Sequence, residues 1–347
     1  MLVVYSDSHK LHSPRTAVYR GVPANYMEIS ERADALVGLV RARNHDVREP
    51  RHFGLAPVAK IHTPDYIAFL QNAYANWHKI VAAGGNASRD VAAHGFAVRQ
   101  MNERPTSFQG QLGYYLSGSG VPIQEHTFDA AVTSAHVAVE AAEAIIAGSR
   151  QAYGLCRPPG HHAYADLAGG FCYFNNAAIA AQHLIEKVGR VAILDFDVHH
   201  GNGTQGIFYE RNDVFFVSIH VDPNDAYPFY AGYRHQRGQG LGLGYNLNLP
   251  LPLASPDQVF LQAIQDGLAA IRAYDPAVLL ISLGFDAFID DPQKLLAVTT
   301  EGFRKTGQLV GAVNLPVLLI QEGGYNVEKL ADNLDAFLDG FLGNRTV

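Results

Sequence analysis

Two stretches hold the side chains best suited to chemistry: Val191-Ala-Ile-Leu-Asp-Phe-Asp-Val-His-His-Gly-Asn-Gly203 and Arg157-Pro-Pro-Gly-His-His162. The first reads as an apolar strand ending in Asp195, Asp197, His199 and His200. Side chains alternate along a strand, so Asp195, Asp197 and His199 are expected on one side. A hydrophobic strand has no structural need for two carboxylates and two imidazoles at its end. A divalent metal does, because carboxylate oxygen and imidazole nitrogen are borderline ligands that suit zinc. The competing reading, hydrogen-bonded polar residues closing a strand, suits one Asp or one His better than this density of them. In the second stretch two prolines stiffen the approach and Gly160 permits a tight turn before His161 and His162. Two imidazoles held this way suit acid–base work when neighbours orient each of them; otherwise they are solvated loop residues.

Gly201-Asn-Gly-Thr-Gln-Gly206 matches the dinucleotide fingerprint G-x-G-x-x-G and follows a strand. That strand should end apolar so the backbone can approach a pyrophosphate, whereas here two carboxylates would repel it. Asp286 and Tyr325, each beside a glycine turn, are weak signals alone and matter only as part of a constellation.

The elements that must position these residues alternate between strand and helix, most clearly after residue 150. Strands are expected at 151–156, 191–195, 214–219, 277–283 and 315–320. A helix capped by Asn176 is expected from Ala177 to Lys187, ending at Gly189. Ser255-Pro-Asp-Gln258 has the pattern of a capping box, opening a helix to Tyr274. Another helix begins at Thr127 and closes at Gly148, and a last one spans 327–342. Apolar strands between helices predict a parallel sheet buried on both faces. Ligands of such sheets bind beyond the carboxyl ends of the strands. Four of these ends run into Arg157–His162, Asp195–His199, Gly284-Phe-Asp286 and Gln321-Glu-Gly-Gly-Tyr325, so convergence at one edge is expected. Residues 84–124, rich in Gly, Ser, Gln and Pro with poor periodicity, read as a long insertion over the sheet.

With 347 residues, 48% of them apolar and 17% charged, the chain can build a large core. Its net charge of −7 disfavours nucleic acid as a main partner. The two cysteines, Cys156 and Cys172, read as buried thiols, so any zinc must be held by histidine and carboxylate. Met1-Leu-Val-Val-Tyr5 is too short for a signal peptide and lacks its basic region, and no run approaches a membrane span. A cytoplasmic protein with no membrane partner is expected.

Together the motifs resemble the arginase/deacetylase superfamily, in its histone deacetylase branch. The likeness rests on Arg157–His162, Gly169-Gly-Phe-Cys-Tyr-Phe-Asn-Asn176, Asp195–Gly203, Leu283-Gly-Phe-Asp286 and Glu322-Gly-Gly-Tyr325, in that order. It extends from Val3-Val-Tyr-Ser through His62-Thr-Pro-Asp-Tyr66 over nearly the whole chain. Within the branch the chain is most similar to bacterial acetylpolyamine amidohydrolases, through Gln111-Leu-Gly-Tyr-Tyr115, Arg211-Asn-Asp-Val-Phe-Phe216 and His220-Val-Asp-Pro-Asn-Asp-Ala-Tyr-Pro228.

The resemblance implies a single three-layer α/β domain over residues 1–347 with an eight-stranded parallel sheet. It implies zinc on Asp197, His199 and Asp286; iron(II) would fit the same ligands. His162, oriented by Asn202, would be the general base and later acid, with a stronger base in relatives that carry a carboxylate there. His161, oriented by Asp195, would stabilise transition-state charge, and Tyr325 would bind the developing oxyanion. Gly170, Phe171 and Tyr227 would line the substrate channel. Structural potassium would sit at Asp195, Asp197, His199, Ser218 and Ile219, and a second ion near Phe208, Arg211, Val214 and Tyr245. The implied substrates are small N-acetylated polyamines or diamines such as acetylputrescine and acetylcadaverine; the alternative is a protein acetyl-lysine deacetylase. The insertion would pair two copies in a homodimer. Where relatives carry glutamates that read a distal ammonium, this chain has Gln109 and Gly120, with Glu103 and Glu125 nearby. A binuclear manganese ureohydrolase needs more carboxylates at the strand ends, and a silent binding protein would have lost a ligand, the base or the tyrosine.

Overall fold

The computed structural model describes residues 1–19, 22–84, 90–93, 95–97 and 103–344. In chain order the strands are β1 (Leu2–Val4), β2 (Thr16–Tyr19), β3 (Val22–Asn25), β4 (Asp46–Arg48), β5 (Gln151–Gly154), β6 (Val191–Asp195), β7 (Val214–Val221), β8 (Asn246–Leu251), β9 (Val278–Leu283) and β10 (Val317–Gln321). Eight of them form one sheet in the order β4-β1-β5-β10-β9-β6-β7-β8, and every pairing is parallel. β2 and β3 form a separate antiparallel hairpin.

The helices are α1 (Glu31–Ala42), α2 (Ala56–Ala59), α3 (Pro64–Ala82), α4 (Phe108–Tyr115), α5 (Thr127–Ile146), α6 (Asn176–Val188), α7 (Asn202–Phe208), α8 (Asp257–Tyr274), α9 (Thr300–Gly311) and α10 (Val327–Gly343). The period-2 alternation of the strands sorts their side chains between two cores. Ala192, Leu194, Leu279 and Ile281 join Leu36 of α1, Phe260 of α8, Phe303 of α9 and Phe337 of α10 on one face. Val191, Ile193, Val278, Leu280 and Leu318 join Leu70 of α3, Val137 of α5 and Ile179 of α6 on the other. That is the three-layer α/β domain expected from the sequence. Both cysteines are free and buried.

Two helix starts differ from expectation. Asn175, not Asn176, caps α6, its side-chain oxygen accepting from Ala178 N at 2.9 Å. Asn176 is the first helical residue and donates instead to Pro158 O at 3.0 Å, tying α6 to the Arg157-Pro-Pro turn. The capping box at Ser255 does not form: Ser255 Oγ donates to Pro252 O at 2.7 Å. Asp257 of α8 accepts from Thr299 N at 2.8 Å and Thr299 Oγ1 at 2.7 Å, a tertiary bond to the cap of α9. The insertion is also more ordered than its poor periodicity implied. It contains α4, whose Leu112 and Tyr115 enter the core, and a bridge between Val91 and Ile123. Its residues 85–89, 94 and 98–102 lie outside the described residues.

Candidate active site

β5, β10, β9 and β6 are consecutive in the sheet, so the four polar strand ends meet at one edge, as the carboxyl-end rule requires. β6 stops at Asp195, and the following chain turns on its own carboxylates. Asp195 Oδ1 accepts from Asp197 N at 3.1 Å, and Asp197 Oδ1 accepts from His199 N at 3.0 Å. Each Asp thus bonds the backbone two residues on, as Asx turns do. Phe196 and Val198 point into the core while the three polar side chains face the site. The alternation expected for a strand survives, but the turns produce it.

From β9, Asp286 reaches the same place. Its Oδ1 accepts from Val198 N at 2.9 Å and its Oδ2 lies 3.1 Å from His199 Nδ1. His199 Nδ1 is also 3.2 Å from Asp197 Oδ1. One ligand atom each from Asp197, His199 and Asp286 lies within 4.8 Å of the others, and all three residues are buried. Glycines make the room: a Cβ on Gly284 would meet Asp197 Oδ2 at 2.5 Å, and one on Gly323 would meet both carboxylates at 2.5 Å.

This donor set fits a divalent cation. Burial and the neighbouring Asp197 push the Asp286 carboxyl up. Burial also opposes charge on Asp197, but His161 and His199 hold it well below the usual range. His199, despite burial, is raised to about 10 by the two carboxylates. Among the described residues these carboxylates pair only with imidazoles, never with Lys or Arg. Two buried anions sharing one imidazole proton are what a metal would neutralise by taking the proton's place.

The His161–His162 pair stands beside this set, with ring centres 4.0 Å apart. Each ring has its own orienting partner. His161 Nδ1 is 3.0 Å from Asp195 Oδ2, and His162 Nδ1 is 2.6 Å from Asn202 Oδ1, while Asn202 Nδ2 donates to Tyr164 Oη at 3.3 Å. The partners split the two rings. Burial disfavours charge on both; Asp197, Asp195 and Glu322 outweigh it at His161 and raise it well above the usual value. At His162 burial, His161 and His199 act together and push it well below. One imidazolium and one neutral imidazole side by side are an acid–base arrangement.

A sequence model of the histone deacetylase domain matches residues 23–341. The chain is 46% identical over 344 residues to the acetylpolyamine amidohydrolase of Burkholderia pseudomallei, covering 98% of each, and 40% identical over 346 residues to that of Mycoplana ramosa, covering 99% of this chain and 100% of that one. The chain belongs to the histone deacetylase family. It is a deacetylase acting on amide bonds. Its fold matches the crystal structure of the acetylpolyamine aminohydrolase from Burkholderia pseudomallei with a TM-score of 0.96 at 45% identity, over 100% of both chains. It matches the HDA15 HD domain with a TM-score of 0.79 at 25% identity, over 99% of this chain and 91% of that one.

In this deacetylase the expected channel residues gather around the histidines. Gly170, at φ +49°, passes so close that a Cβ there would lie 2.2 Å from His162 Cδ2. Tyr227 packs edge-on against His162 with ring centres 4.8 Å apart. Phe171 packs against Tyr325 at 5.7 Å. Burial, Asp286 and other neighbours hold the Tyr325 phenol well above its usual pKa, so it stays a donor. Gly120 lies beside Phe171, whereas Gln109 is exposed on α4. Ser218 is the register partner of Asp195, and its Oγ lies 2.9 Å from His220 Nδ1. Tyr245 O accepts from Phe216 N at 3.0 Å, and Phe208 O from Arg211 N at 3.0 Å.

Sequence reading passed over a buried charge network beneath the site. Glu28 Oε1 accepts from Arg157 Nε at 2.8 Å and Arg32 Nη1 at 2.7 Å. Arg32 also donates to Gly324 O at 2.5 Å and Glu322 O at 2.7 Å, and Glu322 Oε2 accepts from Gly160 N at 2.8 Å and His161 N at 3.2 Å. The only local signal was the Glu28–Arg32 spacing of four, which reads as an ordinary exposed helix pair. Among the described residues no helix is long and apolar enough to cross a membrane.

Proposed function

We propose that the chain is a zinc-dependent amidohydrolase that removes acetyl groups from small N-acetylated polyamines or diamines, such as acetylputrescine and acetylcadaverine, releasing acetate and free amine. The observation that carries this reading is the buried Asp197–His199–Asp286 set beside a histidine pair whose two rings have different partners and opposite charge preferences. Full-length similarity to enzymes named acetylpolyamine amidohydrolase supports the substrate class.

Asp197, His199 and Asp286 would hold the zinc, and iron(II) would suit the same donors. When bound, zinc would supply a Lewis acid that polarises a carbonyl and lowers the pKa of water to about 7. His162 presents its free Nε2, because Nδ1–H is committed to Asn202, and would take a proton from water there and return it to the leaving amine. His161 stays cationic against Asp195 and offsets the negative charge that develops. Tyr325 donates its phenol proton in a hydrogen bond to the oxyanion. Gly170, Phe171 and Tyr227 wall the approach for a narrow acyl-amine chain. On the same reading potassium occupies the two expected sites, the insertion pairs two copies, and the enzyme acts in the cytoplasm.

The test is kcat/KM of the zinc-loaded enzyme for acetylputrescine, acetylcadaverine and an acetyl-lysine peptide, side by side. A strong preference for the diamines is expected. A preference for the peptide would replace this reading with a protein lysine deacetylase.

A further inference from the structure

The segment from Glu322 to Asn326 carries Tyr325 and is tied down residue by residue. Arg32 holds the carbonyls of Glu322 and Gly324. Asp197 Oδ2 accepts from Gly323 N at 2.8 Å. The backbone of Tyr325 itself is held from a different loop. Asp291, wholly buried, directs Oδ2 at Tyr325 N at 2.7 Å and Asn326 N at 3.2 Å, and Oδ1 at Gln293 N at 2.9 Å. Among the described residues it has no Lys or Arg partner; the three N–H groups offset part of the cost of burying it, while burial and Asp286 still push its carboxyl up to about 7.

The loop that carries Asp291 also carries Asp286. It is pinned by Asp291 N to Phe288 O at 3.0 Å, Ile289 N to Val298 O at 2.8 Å and Val298 N to Ala287 O at 3.1 Å. Asn326 adds a bond from Nδ2 to Asp290 O at 2.8 Å. One rigid loop therefore sets both the Asp286 carboxylate and the place where the tyrosine leaves the backbone. We propose that Asp291 is a positioning residue for Tyr325, holding its hydroxyl in register with the Asp197–His199–Asp286 set. This rests on the reading of Tyr325 as the oxyanion donor. A glycine-rich segment without this anchor would let the phenol wander by the ångström or so that costs about 100-fold in rate.

The experiment is a double-mutant cycle on the zinc-loaded enzyme with acetylputrescine, using Asp291→Asn and Tyr325→Phe. An amide offers one acceptor oxygen where the carboxylate offers two, and its NH2 must face a backbone N–H. Asp291→Asn is expected to lower kcat by about 10- to 100-fold with KM within about 3-fold and zinc content unchanged. Tyr325→Phe alone should lower kcat by about 100-fold or more, but only a few-fold in the Asp291→Asn background, because the donor is already out of place. An equal Tyr325→Phe effect in both backgrounds, or an unchanged kcat in Asp291→Asn, overturns the positioning role. An unchanged kcat in Tyr325→Phe alone is a different pattern, and it sinks the donor reading on which the proposal stands. If Asp291→Asn does not fold, Asp291→Ser, small enough to leave room for water, carries the same cycle and the same expectations.

Discussion

Asn202→Asp isolates what sets the basicity of His162. In the wild type a neutral amide oxygen faces His162 Nδ1 at 2.6 Å, and both residues are buried. Burial first, then the charges of His161 and His199, hold the His162 pKa well below the ordinary value. A carboxylate in place of the amide would face an imidazolium with charge centres about 4 Å apart, worth about 4 kcal/mol at an effective dielectric of about 20. At 1.36 kcal/mol per unit that is about 3 pKa units. Desolvating the new carboxylate reduces it, so a rise of about 1–3 units is expected. The Tyr164 hydroxyl, now an acceptor from Asn202, can donate to the carboxylate and keep it in place. The raised pKa means that more of the base is protonated at a given acidic pH, so the acid limb of kcat/KM moves up. Profiles of wild type and variant on acetylputrescine between about pH 5 and 9 would show it, because kcat/KM reports ionisations of the free enzyme. An acid limb displaced by less than about half a unit would refute the assignment of that limb to His162.

Gly170→Ala should lower kcat by about 100-fold while zinc content is kept, since its Cβ would lie 2.2 Å from the His162 ring at a positive φ; near wild-type kcat would contradict the close packing. Asp286→Ala should lose metal, as it removes a carboxylate and leaves Val198 N without its acceptor; a full zinc complement by elemental analysis would rule Asp286 out as a ligand. Burial pushes His9, His62 and His220 down to about 4. Their stabilisation is complete above the unfolded pKa of about 6.5 and is lost as pH falls toward 4, by up to about 3 kcal/mol each. The neighbouring buried carboxyls of Asp195, Glu322 and Asp291 shift the opposite way, so the check is made ring by ring: imidazole NMR of metal-stripped protein at steps from pH 7 to 4.5 should find all three rings still neutral at pH 5.5, and titration near 6.5 would mean that these rings are not buried neutral.

Asp195, Asp197 and His199 were legible because their spacing is local, and period-2 alternation carried them to one side whether the backbone stayed a strand or turned. The apolar runs expected at 191–195, 277–283 and 315–320 were legible because each buries both faces, so the residues themselves declare a central parallel strand; the strands form at Val191–Asp195, Val278–Leu283 and Val317–Gln321. Local spacing misled where another acceptor took the same group. Ser255 had the spacing of a cap, but its hydroxyl donates to Pro252 O instead. α4 was invisible because its glycines dilute any periodicity, and its order comes from packing Phe108 against Phe69 of α3. Asp291 carries no local signal, because its partner Tyr325 lies 34 positions later and only the fold brings the two together. The sequence by itself determined the kinds of residue at each strand end and the sheet that would carry them. Only the tertiary structure decided which ends are neighbours, and so which partners set each charge. Strand order joins Asp286 to His199 across 87 residues and His162 to Asn202 across 40. Burial and neighbouring charge, the two quantities that separate a cationic His161 from a neutral His162, do not exist until that joining is made.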